Sequence, residues 1–350
     1  MNCIFEEVIS DMLGMDKSLG IDLGTVSVLI FQKGKGIVLQ EPSVVSIYRD
    51  TGKVFAVGKE AKEMLGKTPG NIIALEPMKS GVIADYDVTE KMLTYFIKKV
   101  SSNSKLFKPQ VVICVPAGGT EVEKRAALEA AVQAGAKKAY LVEESVAAAI
   151  GAGLDISEPY GNMVVDVGGG TTDIAVISLG GIVESESLRV AGNNFDEDII
   201  KYIKNKYNLM IGEKTAENLK VEIGTAMEPE KEIYAEIRGR DLVSGLPKTI
   251  EVGSSEVLEA ISKTLETILD GIRMVLERTP PELSADIADK GMILTGGGAL
   301  LRNFDILLTK VNKIPAYVAE NPISCVALGA GKVLDQIHLL KQGLISSTQR

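Results

Sequence analysis

Two short stretches of this 350-residue chain carry the same chemistry. In one, Asp22 precedes Gly24 and Thr25; in the other, Asp166 precedes Gly168, Gly169, Gly170, Thr171 and Thr172. Glycine lets bare backbone approach phosphate oxygens and turn several N–H groups toward them, and a nearby aspartate holds magnesium, usually through water. Each stretch therefore predicts a phosphate grip with a metal-holding carboxylate, Asp22 in the first and Asp166 in the second. A third turn, Gly296, Gly297 and Gly298 followed by Ala299, reads as the opening of a helix whose free N–H groups favour an anion. The three turns together predict a nucleoside triphosphate with Mg2+, clamped between two lobes.

Other chemistries lack their residues. The single histidine, His338, excludes histidine triads, histidine general bases and His-rich zinc sites. Cys3, Cys114 and Cys325 are far apart and form no C-x-x-C pair, which argues against a disulfide framework and fits a reducing cytoplasm. Gly66-Lys67-Thr68 looks like the end of a P-loop, but the glycine required five residues earlier is Ala61. No G-x-G-x-x-G follows a strand, so the dinucleotide reading loses its main support. A net charge of −9 argues against nucleic acid as a partner, because replacing phosphate counterions needs a basic face. No apolar run reaches the ~18 residues of a membrane span, and the N-terminus lacks the basic start of a secretory signal.

The elements that must position these residues alternate between short β-branched runs and longer helical patterns, so the fold class expected is α/β. Ser18 to Phe31 reads as strand, turn and strand, and Met163 to Leu179 repeats that pattern around the second turn. One such hairpin is unremarkable, since Gly and Thr are common in turns, but two copies in two halves of a chain point to duplication. Length agrees: single cores stop growing near ~250–300 residues, which predicts two lobes here. Val111 to Val115 is a buried-strand candidate. Thr120 to Ala134 is helical, with Thr120 and Glu123 spaced as a capping box, and Glu143 to Gly153 is a second helix. Further helices are expected over Asn193 to Tyr207 and Ser254 to Arg278, with a strand at Gly291 to Thr295 that leads into the third glycine turn.

In this order the motifs "IDLGT", "VVICVPAGGTEVEKRA", "VEESVAAAIGAGL", "VVDVGGGTTDIAVISLGG", "GEKTAENLKVEIG" and "ILTGGGALL" resemble the actin, Hsp70 and sugar-kinase ATPase superfamily. Within it the chain resembles the bacterial actin family, MreB, from about Leu19 to Leu340. The resemblance implies an actin-like ATPase fold: two lobes, each with a duplicated α/β core and a smaller inserted subdomain. It places an N-terminal amphipathic extension at 1–18. The first lobe spans 19–153, with a small subdomain near 43–75, and is completed by 328–350; the second spans 154–327, with a small subdomain near 193–254. ATP or ADP and Mg2+ are the implied ligands, with Asp22, Gly24, Thr25 and Gly168 to Thr172 on the phosphates and Gly296 to Ala299 at the adenosine. Glu217 and Lys220 match a pair bordering adenine and ribose, although the sequence alone reads them as an i,i+3 surface pair worth ~0.2–0.5 kcal/mol. Glu144 and Thr171 match the pair that orients the attacking water, with Asp166 beside them. Read without the family, Glu144 is an ordinary acid at a helix N-terminus. Ser145 stands where the family usually has proline, Ser27 replaces a usual asparagine and Asn193 a usual aspartate, which leaves hydrolysis rate and cleft closure open.

The function so implied is a nucleotide-dependent cytoskeletal filament protein with slow ATPase activity, setting cell shape at the inner face of the membrane. Its partners would be itself, in paired protofilaments, the lipid surface, and cell-shape membrane proteins. A small-molecule kinase of the same superfamily would need a base and polar loops for its acceptor, and no additional acidic loop presents itself. An Hsp70-type chaperone would need a substrate domain, and ten residues follow Leu340. Two segments compete for the membrane. Residues 2–15 place Ile4, Phe5, Val8, Ile9, Met12 and Leu13 on one helical face, but Glu6, Glu7 and Asp11 on the other would be repelled by anionic lipid. Leu106 and Phe107, flanked by Lys105 and Lys108, lie where the family inserts hydrophobic residues into the bilayer; the alternative is that both pack into the core.

Overall fold

Strands that are buried on both faces read as unbroken aliphatic runs, and those runs organise this chain. A computed structural model describes residues 18–101, 108–336 and 346–348. The segment 2–15, Leu106, Phe107 and His338 lie outside the described residues. The chain divides into two compact units, Met1–Asp155 with Ser324–Arg350, and Ile156–Ile323.

The first unit opens on an antiparallel meander of β1 (Leu19–Leu23), β2 (Ser27–Gln32) and β3 (Gly36–Pro42). A small sheet of β4 (Val45–Tyr48), β5 (Val54–Val57) and β6 (Ile72–Leu75) follows, with the short helix α1 (Lys59–Met64) and a ribbon of β7 (Met78–Lys79) and β8 (Val82–Ile83). Helix α2 (Tyr86–Val100) is capped by Asp85, whose side chain accepts the Val88 N–H at 3.1 Å. It buries Val88, Met92, Leu93, Phe96 and Ile97, one stripe at helical spacing. Then come β9 (Gln110–Val115), α3 (Glu121–Gln133), β10 (Lys138–Glu143) and α4 (Glu144–Gly151). The expected capping box is present: Thr120 Oγ1 accepts the Glu123 N–H at 3.3 Å, and Glu123 Oε2 accepts the Thr120 N–H at 2.8 Å.

The second unit repeats the plan. β11 (Asn162–Val167), β12 (Thr172–Ser178) and β13 (Gly181–Leu188) form its meander. Helix α5 (Gly192–Tyr207), β14 (Leu209–Met210), α6 (Glu213–Ile223) and the hairpin β15 (Tyr234–Asp241) with β16 (Pro247–Gly253) follow. The long helix α7 (Ser254–Arg278) buries Val257, Ile261, Leu265, Ile268, Ile272 and Val275, a stripe made of steps of three or four. Next are α8 (Pro281–Lys290), β17 (Met292–Thr295), α9 (Phe304–Asn312) and β18 (Ala316–Val318). Here the structure corrects one expectation. The third glycine turn leads into a single 3₁₀ turn, Gly297–Leu300, and α9 begins only at Phe304. Leu301 is extended (ψ 125°) and Asn303 is left-handed (φ 62°), so the backbone leaves helical geometry between the two.

The chain then returns to the first unit with α10 (Cys325–Gln336) and β19 (Ser346–Thr348), which pairs with β10. A Cβ built on Gly151 would lie 1.8 Å from the Cys325 carbonyl oxygen, and one on Gly329 would lie 1.8 Å from that of Ala147. Helices α4 and α10 therefore touch backbone to backbone. The main sheets run β19-β10-β9-β1-β2-β3 and β13-β12-β11-β17-β18. In each, the first strand of a meander also pairs in parallel with a later strand, β1 with β9 and β11 with β17. The duplication expected from the two Asp-x-Gly turns is thus a duplication of sheet topology.

Candidate functional site

In open sheets, ligands gather at the carboxyl ends of parallel strands, and both Asp-x-Gly turns are found there. In the first unit β1, β9 and β10 are parallel, with Asp22 beside Cys114 and Glu143 beside Val115. Asp22, Gly24, Thr25 and Glu144 therefore share one sheet edge. Gly24 is required by close approach, since a Cβ there would lie 2.7 Å from the Ser27 carbonyl oxygen. Ser43 Oγ donates to the Gly24 carbonyl at 2.6 Å, and the buried Thr25 accepts the Gly81 N–H on its Oγ1 at 2.8 Å. That bond takes a lone pair of Thr25 and leaves its hydroxyl proton to donate. Glu144 is the first residue of α4 and is 7% exposed. Beside it, burial pushes the Glu143 carboxyl above its ordinary pKa, against the opposing pull of Lys124. Ser145 is fully buried, and its hydroxyl has no partner among the described residues.

In the second unit Asp166 is aligned with Thr295 across the parallel pair β11 and β17. Its Oδ1 accepts the Thr295 hydroxyl at 2.6 Å. Burial raises the Asp166 carboxyl to about 7, the Thr295 bond opposes the rise, and the charge of Asp173 across the hairpin adds to it. The glycine turn is closed by the Gly168 N–H, which donates to the Thr171 carbonyl at 2.9 Å. Thr171 is 7% exposed, whereas Thr172 is fully buried and donates its hydroxyl to the Val190 carbonyl at 2.7 Å. Gly296 adopts φ +81°, and a Cβ there would lie 2.3 Å from the Val167 carbonyl oxygen. A Cβ on Gly298 would lie 2.3 Å from Val167 Cγ1, and Ala299 is buried. The second and third turns are thus packed on each other through Val167.

Lys220 and Glu217 sit on α6, both half-buried. The Lys220 ammonium donates to the Gly192 carbonyl at 2.9 Å and to Asp196 Oδ2 at 2.8 Å. Gly192 and Asn193, at the start of α5, donate their N–H groups to the carbonyls of Gly168 and Gly169 at 3.1 and 2.8 Å. Sequence reasoning missed Gly192, Asp196 and Thr295 as supports of the site. Thr295 was within reach, since it ends the strand that delivers the third glycine turn; nothing local marks Asp196. Among the described residues no group of three or more His, Cys, Asp and Glu side chains is placed to hold a metal. Magnesium keeps most of its water and takes phosphate oxygens, so a protein holds it with one or two carboxylates rather than a full cage. A buried carboxylate whose charge is opposed by its surroundings fits that ion.

The MreB/Mbl protein family matches residues 16–342. The chain belongs to the MreB/Mbl family. It is 55% identical over 324 residues to the cell shape-determining protein Mbl of Bacillus cereus, covering 93% of this chain and 97% of that one. It is 54% identical over 326 residues to the cell shape-determining protein MreB of Escherichia coli, covering 92% and 94%. Among solved structures it is similar to MreB5 of Spiroplasma citri bound to AMPPNP, with TM-score 0.87, 39% identity and coverage of 92% and 96%. The fold is therefore actin-like, and the chain is a cytoskeletal protein of the bacterial actin type. The kinase and chaperone readings are not favoured.

Proposed function

We propose that this MreB/Mbl family member binds ATP with Mg2+, polymerises in that state and hydrolyses the nucleotide slowly. The observation that carries the reading is the twice-built turn: an Asp and a glycine cradle at the carboxyl end of the first strand of each matching meander. The Spiroplasma relative bound to AMPPNP supports it. In this reading Asp22, Gly24, Thr25 and Gly168 to Thr172 grip the phosphates of one nucleotide, and Gly296 to Ala299 with Glu217 border its adenosine; Lys220, which the family resemblance also sets there, is turned to Gly192 and Asp196 in the ligand-free fold. Asp22 and Asp166 would hold magnesium through water, which supplies charge neutralisation on the phosphates. Glu144 accepts a hydrogen bond from the attacking water, and Thr171 fixes that water's second direction. Phosphoryl transfer needs mainly positioning and electrostatic stabilisation, so a carboxylate and a hydroxyl suffice without histidine.

Residues near 43–75 and 193–254 are read as the two inserted subdomains. Head-to-tail contacts that do not close would build protofilaments, which pair in the family reading, and their place would be the inner face of the membrane, where the family sets cell shape together with membrane proteins. No helix among the described residues is long and apolar enough to cross a membrane. Attachment to the lipid surface is assigned to Leu106 and Phe107, the apolar pair flanked by Lys105 and Lys108 in the sequence. The test is light scattering and sedimentation against protein concentration with Mg-ATP or a non-hydrolysable analogue. Scattering that rises above a threshold concentration is expected. A monodisperse monomer at tens of micromolar across several salts would overturn the filament reading.

A further inference from the structure

We infer that Lys220 is a positioning residue that orients and polarises the Gly170 N–H through a relay of two peptide groups. The inference rests on the reading that the Gly168–Gly170 turn grips phosphate. Lys220 donates to the Gly192 carbonyl at 2.9 Å. That carbonyl shares its peptide group with the Asn193 N–H, which donates to the Gly169 carbonyl at 2.8 Å. The Gly169 carbonyl in turn shares its peptide group with the Gly170 N–H. The described peptide bonds include no cis form, and in a trans peptide the N–H points opposite to the carbonyl. An ammonium at one end of this line therefore aims the Gly170 N–H away from itself at the other.

The far end of the relay has the character of a ligand donor. Neither the Gly169 nor the Gly170 N–H has a hydrogen-bond acceptor among the described residues, and Gly170 is buried. A buried backbone N–H without a partner is costly unless a ligand or water satisfies it. The Gly192 N–H, bonded to the Gly168 carbonyl at 3.1 Å, fixes the next peptide group in the same sense and so directs the Gly169 N–H as well. Hydrogen bonds in line polarise one another, so the lysine charge strengthens the donor it faces across two peptides. Asp196 holds the ammonium at 2.8 Å, with Lys220 and Asp196 side chains only 17% and 13% exposed. Position 192 keeps the relay compact, because a Cβ there would lie 3.2 Å from the Gly168 carbonyl oxygen and 3.7 Å from Lys220 Nζ.

The competing role for Lys220 is direct contact with adenosine, and inorganic tripolyphosphate separates the two because it has no adenosine. Affinities of Mg-ATP and of tripolyphosphate would be measured by competition with a fluorescent nucleotide for the wild type, Lys220→Met, Lys220→Arg and Asp196→Asn. The relay predicts that Lys220→Met weakens both ligands by the same factor, ~10-fold for loss of a charge-assisted bond. Lys220→Arg should recover part of that loss, and Asp196→Asn should weaken both ligands in the same direction. In the ligand-free protein the Gly170 amide proton resonance should move upfield in Lys220→Met. If ATP weakens while tripolyphosphate does not, Lys220 acts on the adenosine and the relay is wrong. The relay also fails if neither affinity changes. Should Lys220→Met not fold, Gly192→Ala disturbs the same line with the lysine in place, and an unequal loss for the two ligands would again overturn it. A wild type that binds no ATP defeats the proposed function, and the Gly170 resonance then judges the relay alone.

Discussion

Asp166→Asn should make the ligand-free protein more stable while abolishing its response to Mg-ATP. The Asp166 carboxyl is pushed from an ordinary value of 3.8 to about 7, with burial the largest cause. A carboxyl raised in this way adds stability that is fully present below 3.8, falls as pH rises above that value, and is gone once pH passes about 7. The ionised group thus costs the ligand-free fold on the order of 4 kcal/mol at neutral pH and above, at about 1.4 kcal/mol for each pH unit traversed. Asparagine keeps an oxygen for the Thr295 hydroxyl and carries no charge. Urea denaturation of dilute, nucleotide-free protein should therefore favour the variant, and its advantage should grow by about 1.4 kcal/mol between about pH 6 and pH 8. Mg-ATP should raise the midpoint of the wild type and leave that of the variant in place, because the ion offsets the same charge that burial penalises. A variant less stable than wild type near pH 8, or an equal advantage at both pH values, would refute the argument.

Glu144→Ala should leave nucleotide affinity near the wild-type value while phosphate release falls at least ~10-fold, a barrier increase of ~1.4 kcal/mol; unchanged release removes Glu144 from the mechanism. Gly296→Ala, at φ +81° with its Cβ 2.3 Å from a backbone oxygen, should cost about 2–5 kcal/mol in denaturation. Gly297→Ala, with nothing within 4 Å of its Cβ, should stay within about 1 kcal/mol and serves as the control. The double change Leu106→Ser with Phe107→Ser should abolish liposome co-sedimentation of filaments and spare polymerisation; if the variant still pellets with liposomes, the segment 2–15 becomes the anchor to test.

What could be read in the sequence was what local chemistry decides. Thr120 and Glu123 are three residues apart and make the capping box with no help from elsewhere. The aliphatic runs before Asp22 and Asp166 become strands because their side chains have only buried faces to occupy. What escaped was decided at a distance. The bland surface reading of Lys220 fails because its acceptors are 24 and 28 residues away on another helix. The third glycine turn looked like a helix start, yet Leu301 and Asn303 take the chain out of helical geometry before α9, and no residue type in "GGGALL" announces that. Thr172 belongs to the second phosphate turn by its place in the motif, and only the fold shows that its hydroxyl proton goes to the Val190 carbonyl, 18 residues later.

The backbone contact between α4 and α10 bears on the order in which the chain acquires its structure. The second unit is one continuous stretch, Ile156–Ile323, whereas the first takes its last helix from beyond it. During synthesis α4 emerges with Ala147 and Gly151 waiting for a helix about 175 residues downstream, so closing this contact is a long loop closure. Domains form as units while the ribosome is still working, and here the later-made unit has all its strands before the earlier one is complete. Until Cys325 and Gly329 arrive, Ala147 and Gly151 lack the backbone they pack against in the finished fold. A substitution at Gly151 or Gly329 would then be felt first as a failure to complete a newborn protein, in the soluble yield of the cell, and only second as a change in the finished one.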